Sequence, residues 1–170
     1  MEQNIYKGKS LSNEEAIGLV KSNIFDFIEI KNPTEEVQLE AVKQNGYAIQ
    51  FIENPSEEIQ LAAVKQNGFH ISLIKNPSEQ VQLEAVKQNG FHISFIKNPL
   101  EEVQLAAVKE KGIAITFIKN PSLKVQLAAI KQDGIAVDYI INPSMKIRFI
   151  ATMKLFYEFC IEQKYRKKYK

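Results

Sequence analysis

Residues 76–97 read NPSEQVQLEAVKQNGFHISFIK, and the 22 residues before them, 54–75, read NPSEEIQLAAVKQNGFHISLIK. Eighteen of the 22 positions are identical, so the chain states one structural unit twice in succession. The repeat extends in both directions, because Asn-Pro recurs at 32, 54, 76, 98, 120 and 142, always 22 residues apart. Counting each unit from its Asn as column 1, columns 6, 8 and 11 are Val, Ile or Leu, column 10 is Ala and column 15 is Gly in the regular repeats. Residues 10–31 fit the same frame without Asn-Pro. Residues 142–163 keep Asn142-Pro143 but carry Phe156 in place of Gly and Phe149 in place of Leu. Seven such units cover 154 of the 170 residues. Units that cannot bury their own apolar faces stack on one another, and their end members differ. We therefore expect one domain over 1–170: an N-terminal extension (1–9), a capping unit (10–31), five regular repeats (32–141), a C-terminal capping unit (142–163) and a basic tail (164–170).

Within the unit 76–97, Asn76 has the chemistry of a helix N-cap, Pro77 suits a first helical position and Glu79 completes a capping-box spacing. Gly90 then reads as the left-handed stop. This predicts a first helix over 77–89, with Val81, Leu83, Ala85 and Val86 on its apolar face. The segment FHISFIK that follows is ambiguous. Phe91, Ile93 and Phe95 alternate like a strand, whereas Phe91–Phe95 and Ile93–Ile96 match helical spacing. A helix here gives an all-α solenoid of helix–short-helix repeats with altered end caps; a strand gives an α/β horseshoe. The helix is favoured because apolar-x-apolar-x-apolar-apolar occurs in both halves of the unit, at 81–86 and again at 91–96.

The runs NPSEEIQLAAVKQNG and VQLEAVKQNGFHISFI resemble short helical repeats of uncharacterised bacterial, phage and large-virus proteins. They are similar, more distantly, to leucine-rich-repeat variants and HEAT-type repeats. The resemblance spans 32–141 and implies a right-handed superhelix of paired short helices. It also implies binding of other macromolecules rather than catalysis.

Bulk composition agrees with a folded, non-membrane chain. Hydrophobic residues make up 45% and charged residues 25%, and no apolar run approaches the ~18 residues needed to span a bilayer. The first ten residues, MEQNIYKGKS, have no apolar core of the secretory kind, so the expected location is cytoplasmic, in a host cell if the chain is phage-encoded. Net charge is +2, and the tail KYRKKYK carries five positive charges, which leaves −3 for the rest. The single cysteine, Cys160, forms no internal disulfide and is expected to be a buried, inert thiol among Phe156, Phe159 and Ile161.

Catalytic parts are not legible. The repeat glycines are single, so no phosphate-cradling loop is present. His70 and His92 occupy one column of adjacent units, and packed helices lie roughly 8–10 Å apart, too far to share a zinc ion readily. The expectation is a non-enzyme with no cofactor and no metal. Gln at column 7 (Gln38, Gln60, Gln82, Gln104, Gln126) is expected to form a rung-to-rung amide ladder.

Binding is therefore the function to place. Columns 16, 17 and 19 vary while the packing columns hold, and alternation with apolar neighbours predicts that columns 17 and 19 face outward. This nominates Phe69, His70, Ser72, Phe91, His92 and Ser94 as a partner-binding surface, extended by Leu123 and Met145, apolar residues at helix starts where the other regular units carry Glu. The reading is a protein–protein interaction module, an adaptor or an inhibitor acting by occlusion; the resemblance to phage proteins implies an inhibitor of a bacterial defence complex. The alternative is nucleic-acid binding through a lysine row at column 12 (Lys43, Lys65, Lys87, Lys109, Lys131), aided by the basic tail. Self-assembly follows as a third class if the end units fail to shield the stack.

Overall fold

The computed structural model describes residues 3–168, with side chains as far as residue 162; the side chains of the basic tail lie outside the described residues. The chain forms two compact units, divided between Gln88 and Asn89. The first opens with a small hairpin, β1 (Ile5–Tyr6) and β2 (Lys9–Ser10), paired antiparallel. It continues with α1 (Asn13–Ser22), α2 (Asp26–Glu29), α3 (Glu35–Gln44), the 3-10 helix η1 (Gly46–Phe51), α4 (Glu57–Gln66), η2 (Gly68–Leu73) and α5 (Glu79–Gln88). The second contains η3 (Gly90–Phe95), α6 (Glu101–Glu110), η4 (Gly112–Phe117), α7 (Leu123–Gln132), η5 (Gly134–Tyr139) and α8 (Met145–Lys168). The fold is an all-α solenoid of 22-residue repeats, and the ambiguous half of each regular repeat is a six-residue 3-10 helix rather than a strand.

Two periodicities build the core. In the α-helix of each regular repeat columns 6, 10 and 11 are buried, as in Ile59, Ala63 and Val64, or Val103, Ala107 and Val108. A 3-10 helix has three residues per turn, so positions three apart eclipse. Columns 15, 18 and 21 consequently face inward together, as in Gly90, Ile93 and Ile96. Each fully buried Ile contributes on the order of 1.5–3 kcal/mol.

Three local readings are corrected. The α-helices begin two residues later than expected, and column 3 is the N-cap: Ser56, Ser78, Ser122 and Ser144 accept from the backbone N–H of Ile59, Val81, Val125 and Ile147. The Asn of column 1 serves the turn before it. Asn32, Asn98, Asn120 and Asn142 all have φ between 50° and 52°, a left-handed geometry that Asn tolerates better than other non-glycine residues. The repeat Gly, in contrast, is not left-handed. Column 14 is extended and caps the 3-10 helix, Asn67 accepting from Phe69 N–H and Asn89 from Phe91 N–H. Gly follows because the next α-helix packs directly on it: a Cβ on Gly112 would lie 2.7 Å from the Ala129 carbonyl oxygen.

The inter-repeat staple is Gln at column 13, not column 7. Gln66 Oε1 accepts from Gly46 N–H at 2.8 Å, while its Nε2 donates to the carbonyls of Val42 (2.7 Å) and Lys43 (2.8 Å). One side chain thus satisfies the orphan carbonyls ending α3 and the first N–H of η1. Gln88 repeats the bonds one unit on, to Gly68 and Val64. The column-7 Gln stays within its own repeat, Gln60 Nε2 donating to the Pro55 carbonyl at 2.9 Å. Gln66→Ala is expected to cost about 2 kcal/mol, since it strands a buried donor, against about 0.5–1 kcal/mol for Gln60→Ala. Urea melts of the two variants check the order.

α8 breaks the pattern for a readable reason. Leu155 and Phe156 stand where the other repeats have Asn or Asp, or Lys in one unit, followed by Gly. The 3-10 cap is gone, no close approach is required, and the helix runs on. Cys160 lies on this extension and is exposed, not buried, because no element packs over that end of the helix among the described residues.

Candidate functional site

The three-residue turn of the 3-10 helices decides which side chains face solvent. With columns 15, 17, 18 and 21 inward, the outward set is columns 16, 19 and 20. Column 19 is exposed as expected, at Ser72 and Ser94. Column 17 is not. His70 is only 4% exposed, and the same column holds the buried Ala48, Ala114 and Ala136. Its Nδ1 donates to the Ala63 carbonyl at 2.9 Å, which places the ring proton on Nδ1 because a carbonyl only accepts. Its Nε2 is buried without a partner, and the Tyr47 ring meets it edge-on at 4.6 Å. His70 is a core residue. His92 is half-buried, with its ring 6.4 Å from that of Phe95. The expectation that both histidines form a surface pair fails, because alternation by two is not the period of this element.

Column 20 is the part of the surface that alternation assigned to the core. In the second unit Phe95, Phe117 and Tyr139 are 43%, 48% and 46% exposed, one aromatic ring per repeat. The first unit presents Phe51 in the same column, beside Tyr47 and Phe69 of column 16, which are also exposed. Phe91 is half-buried against the edge of Phe117, 6.2 Å between ring centres.

Grooves accompany the rings. In the second unit one of about 620 Å³ lies among Ser94, Pro99, Gln104, Phe117 and Lys119, with Lys97 also at its wall. A second, of about 480 Å³, lies among Thr116, Pro121, Gln126, Tyr139 and Ile141. Each residue of the second set follows its counterpart in the first by 22 positions, so the two grooves are one site written twice. Gln104 and Gln126 each donate Nε2 to the proline carbonyl of their own repeat, at 2.8 and 2.9 Å. That leaves each carboxamide oxygen as an acceptor available to a ligand. Lys97 and Lys119 are exposed and take part in none of the ion pairs among the described residues. In the first unit an apolar cleft of about 180 Å³ lies among Phe25, Phe27, Ile28, Tyr47 and Phe51.

The remaining nominated residues fall elsewhere. Leu123 and Met145 are exposed at the first turns of α7 and α8. Phe149, Phe156, Tyr157 and Phe159 do not fold over them and are exposed themselves. The lysines of column 12 sit in the last turn of each α-helix and are all exposed. No cluster of three or more His, Cys, Asp or Glu side chains suited to a metal ion occurs among the described residues. No helix among them is long and apolar enough to cross a membrane.

Comparison with known proteins adds no family: no family model, no curated protein and no solved structure matches this chain.

Proposed function

We propose that this protein is a non-enzymatic interaction module that binds another protein through the groove-and-ring surface of its 3-10 helices. One observation carries the reading: a groove with an exposed aromatic ring and an unpaired amide oxygen recurs at 22-residue spacing. A repeated site suits a repeated ligand, and an extended polypeptide presents a backbone N–H and a side chain at regular intervals. The rings supply the desolvated anchors on which interfaces depend, and Lys97 and Lys119 favour an acidic segment. The function is then adaptor or inhibitor by occlusion, with no bond made or broken.

The test is affinity capture from the native host with the wild-type chain and with Phe117→Glu plus Tyr139→Glu. Both rings are about half exposed, so the variant keeps its fold. A protein retained by wild type and lost from the variant, with at least a tenfold drop in affinity, supports the reading. Equal capture by both chains overturns it.

Nucleic-acid binding predicts a different result. Backbone tracking by the column-12 lysines makes log affinity fall linearly with log salt. The expected outcome is no sub-micromolar RNA or DNA binding at physiological salt, because the chain outside the tail is net negative. Tight, salt-sensitive binding abolished by Lys65→Ala, Lys87→Ala and Lys109→Ala together would replace the proposed function.

A further inference from the structure

α8 carries an apolar face that nothing among the described residues covers. Ile147 and Ala151 are buried on one side of the helix. Around the opposite side run Met145, Phe149, Thr152, Phe156 and Phe159, spaced by four, three, four and three residues, all exposed. That spacing is the one a two-helix seam uses. Phe149 shows the vacancy directly. The Leu of the same column is buried or half-buried in all five regular repeats, whereas Phe149 is 67% exposed, and Phe156 two turns later is 64% exposed.

We infer that the occupant is a second copy of this chain, its α8 packed antiparallel against the first to form a two-fold dimer. Area is the first argument. The exposed parts of Met145, Phe149, Met153, Phe156 and Phe159 amount to roughly 600 Å² per copy, or about 1,200 Å² for the pair, which reaches the size of specific interfaces. Charge is the second. Arg148 and Glu162 are both exposed and lie 14 residues apart, on the same flank of the seam. Antiparallel pairing sets Arg148 of each copy near Glu162 of the other; parallel pairing would set each arginine beside its own copy. A two-fold interface is isologous and closes on itself, so this pairing yields a dimer rather than a filament.

The experiment is light scattering and sedimentation of the full chain at ~50 µM, above the micromolar end of affinities for interfaces this size. Twice the chain mass of 19.4 kDa is expected. Phe149→Glu with Phe156→Glu should give a monomer with an unchanged helical circular dichroism spectrum, since both side chains are exposed in the single chain. A wild-type monomer, or a dimer that survives both substitutions, overturns the proposal. Orientation is read by Phe149→Cys: on mild oxidation, peptide mapping should find Cys at 149 joined to the partner's Cys160. Efficient linkage of Cys160 to the partner's Cys160 in the wild type would overturn the antiparallel arrangement. Because the groove surface is untouched by these variants, capture of a partner through Phe117 and Tyr139 can fail or succeed independently.

Discussion

Replacing Gly90 with valine lowers stability by at least about 3 kcal/mol, and replacing it with alanine by about 2 kcal/mol, as overpacking against a fixed wall predicts. A Cβ at Gly90 would overlap the carbonyl oxygen of Ala107, a backbone atom of the next α-helix that cannot rotate away. The cause is separable from the one the sequence suggested. If Gly90 were needed for a left-handed backbone, Gly90→Asn would be nearly harmless, since Asn tolerates that region. Close packing makes Asn at least as costly as Ala. Urea titrations of the three variants decide the point, and a mild Asn variant beside a damaging Ala variant would restore the left-handed explanation.

His70→Glu is the second large effect, with an expected cost of about 3 kcal/mol or more. A carboxylate there would face the Ala63 carbonyl that now accepts from His70 Nδ1. His70→Ala should cost only about 1–2 kcal/mol, because three sister repeats already hold Ala in that column and pack around it. His92→Glu, at a half-buried site, should stay within about 1 kcal/mol. Thermal or urea melts of the three variants test the series. Equal, small losses for both Glu variants would show that His70 is not sealed in the core. A consequence follows for binding assays: a His70 substitution reports on folding, so the surface is better probed at Ser72, Ser94, Phe117 and Tyr139.

The repeat itself was fully legible. Twenty-two-residue spacing, Val-x-x-x-Ala-Val in the first half and altered end units are one-dimensional facts, and a stack of repeats with an α-helix in each first half follows from them. What the text concealed was the pitch of the second element. Seven residues such as FHISFIK satisfy periods of 2, 3 and 3.6 about equally well. Reading them by alternation sent His70 outward and Phe95 inward, and both assignments reversed once three residues made a turn. The spacing Ile71–Ile74, repeated as Ile93–Ile96 and Ile115–Ile118, is the one that the three-residue turn uses.

The sequence by itself determined the number of units, the composition of the α-helical core and the places where the array changes. Each is a property of residue spacing, which hydrophobic burial reads directly. The tertiary structure decided why columns are invariant. Gly at column 15 and Gln at column 13 look like local helix-ending residues, but their partners lie in a neighbouring repeat, Gly90 against the Ala107 carbonyl and Gln66 across Val42, Lys43 and Gly46. Contacts between units some 20 residues apart leave no mark in the spacing within one unit. The exposed seam of α8 has the same origin: Phe149 reads as another core residue until the structure leaves its outer side uncovered.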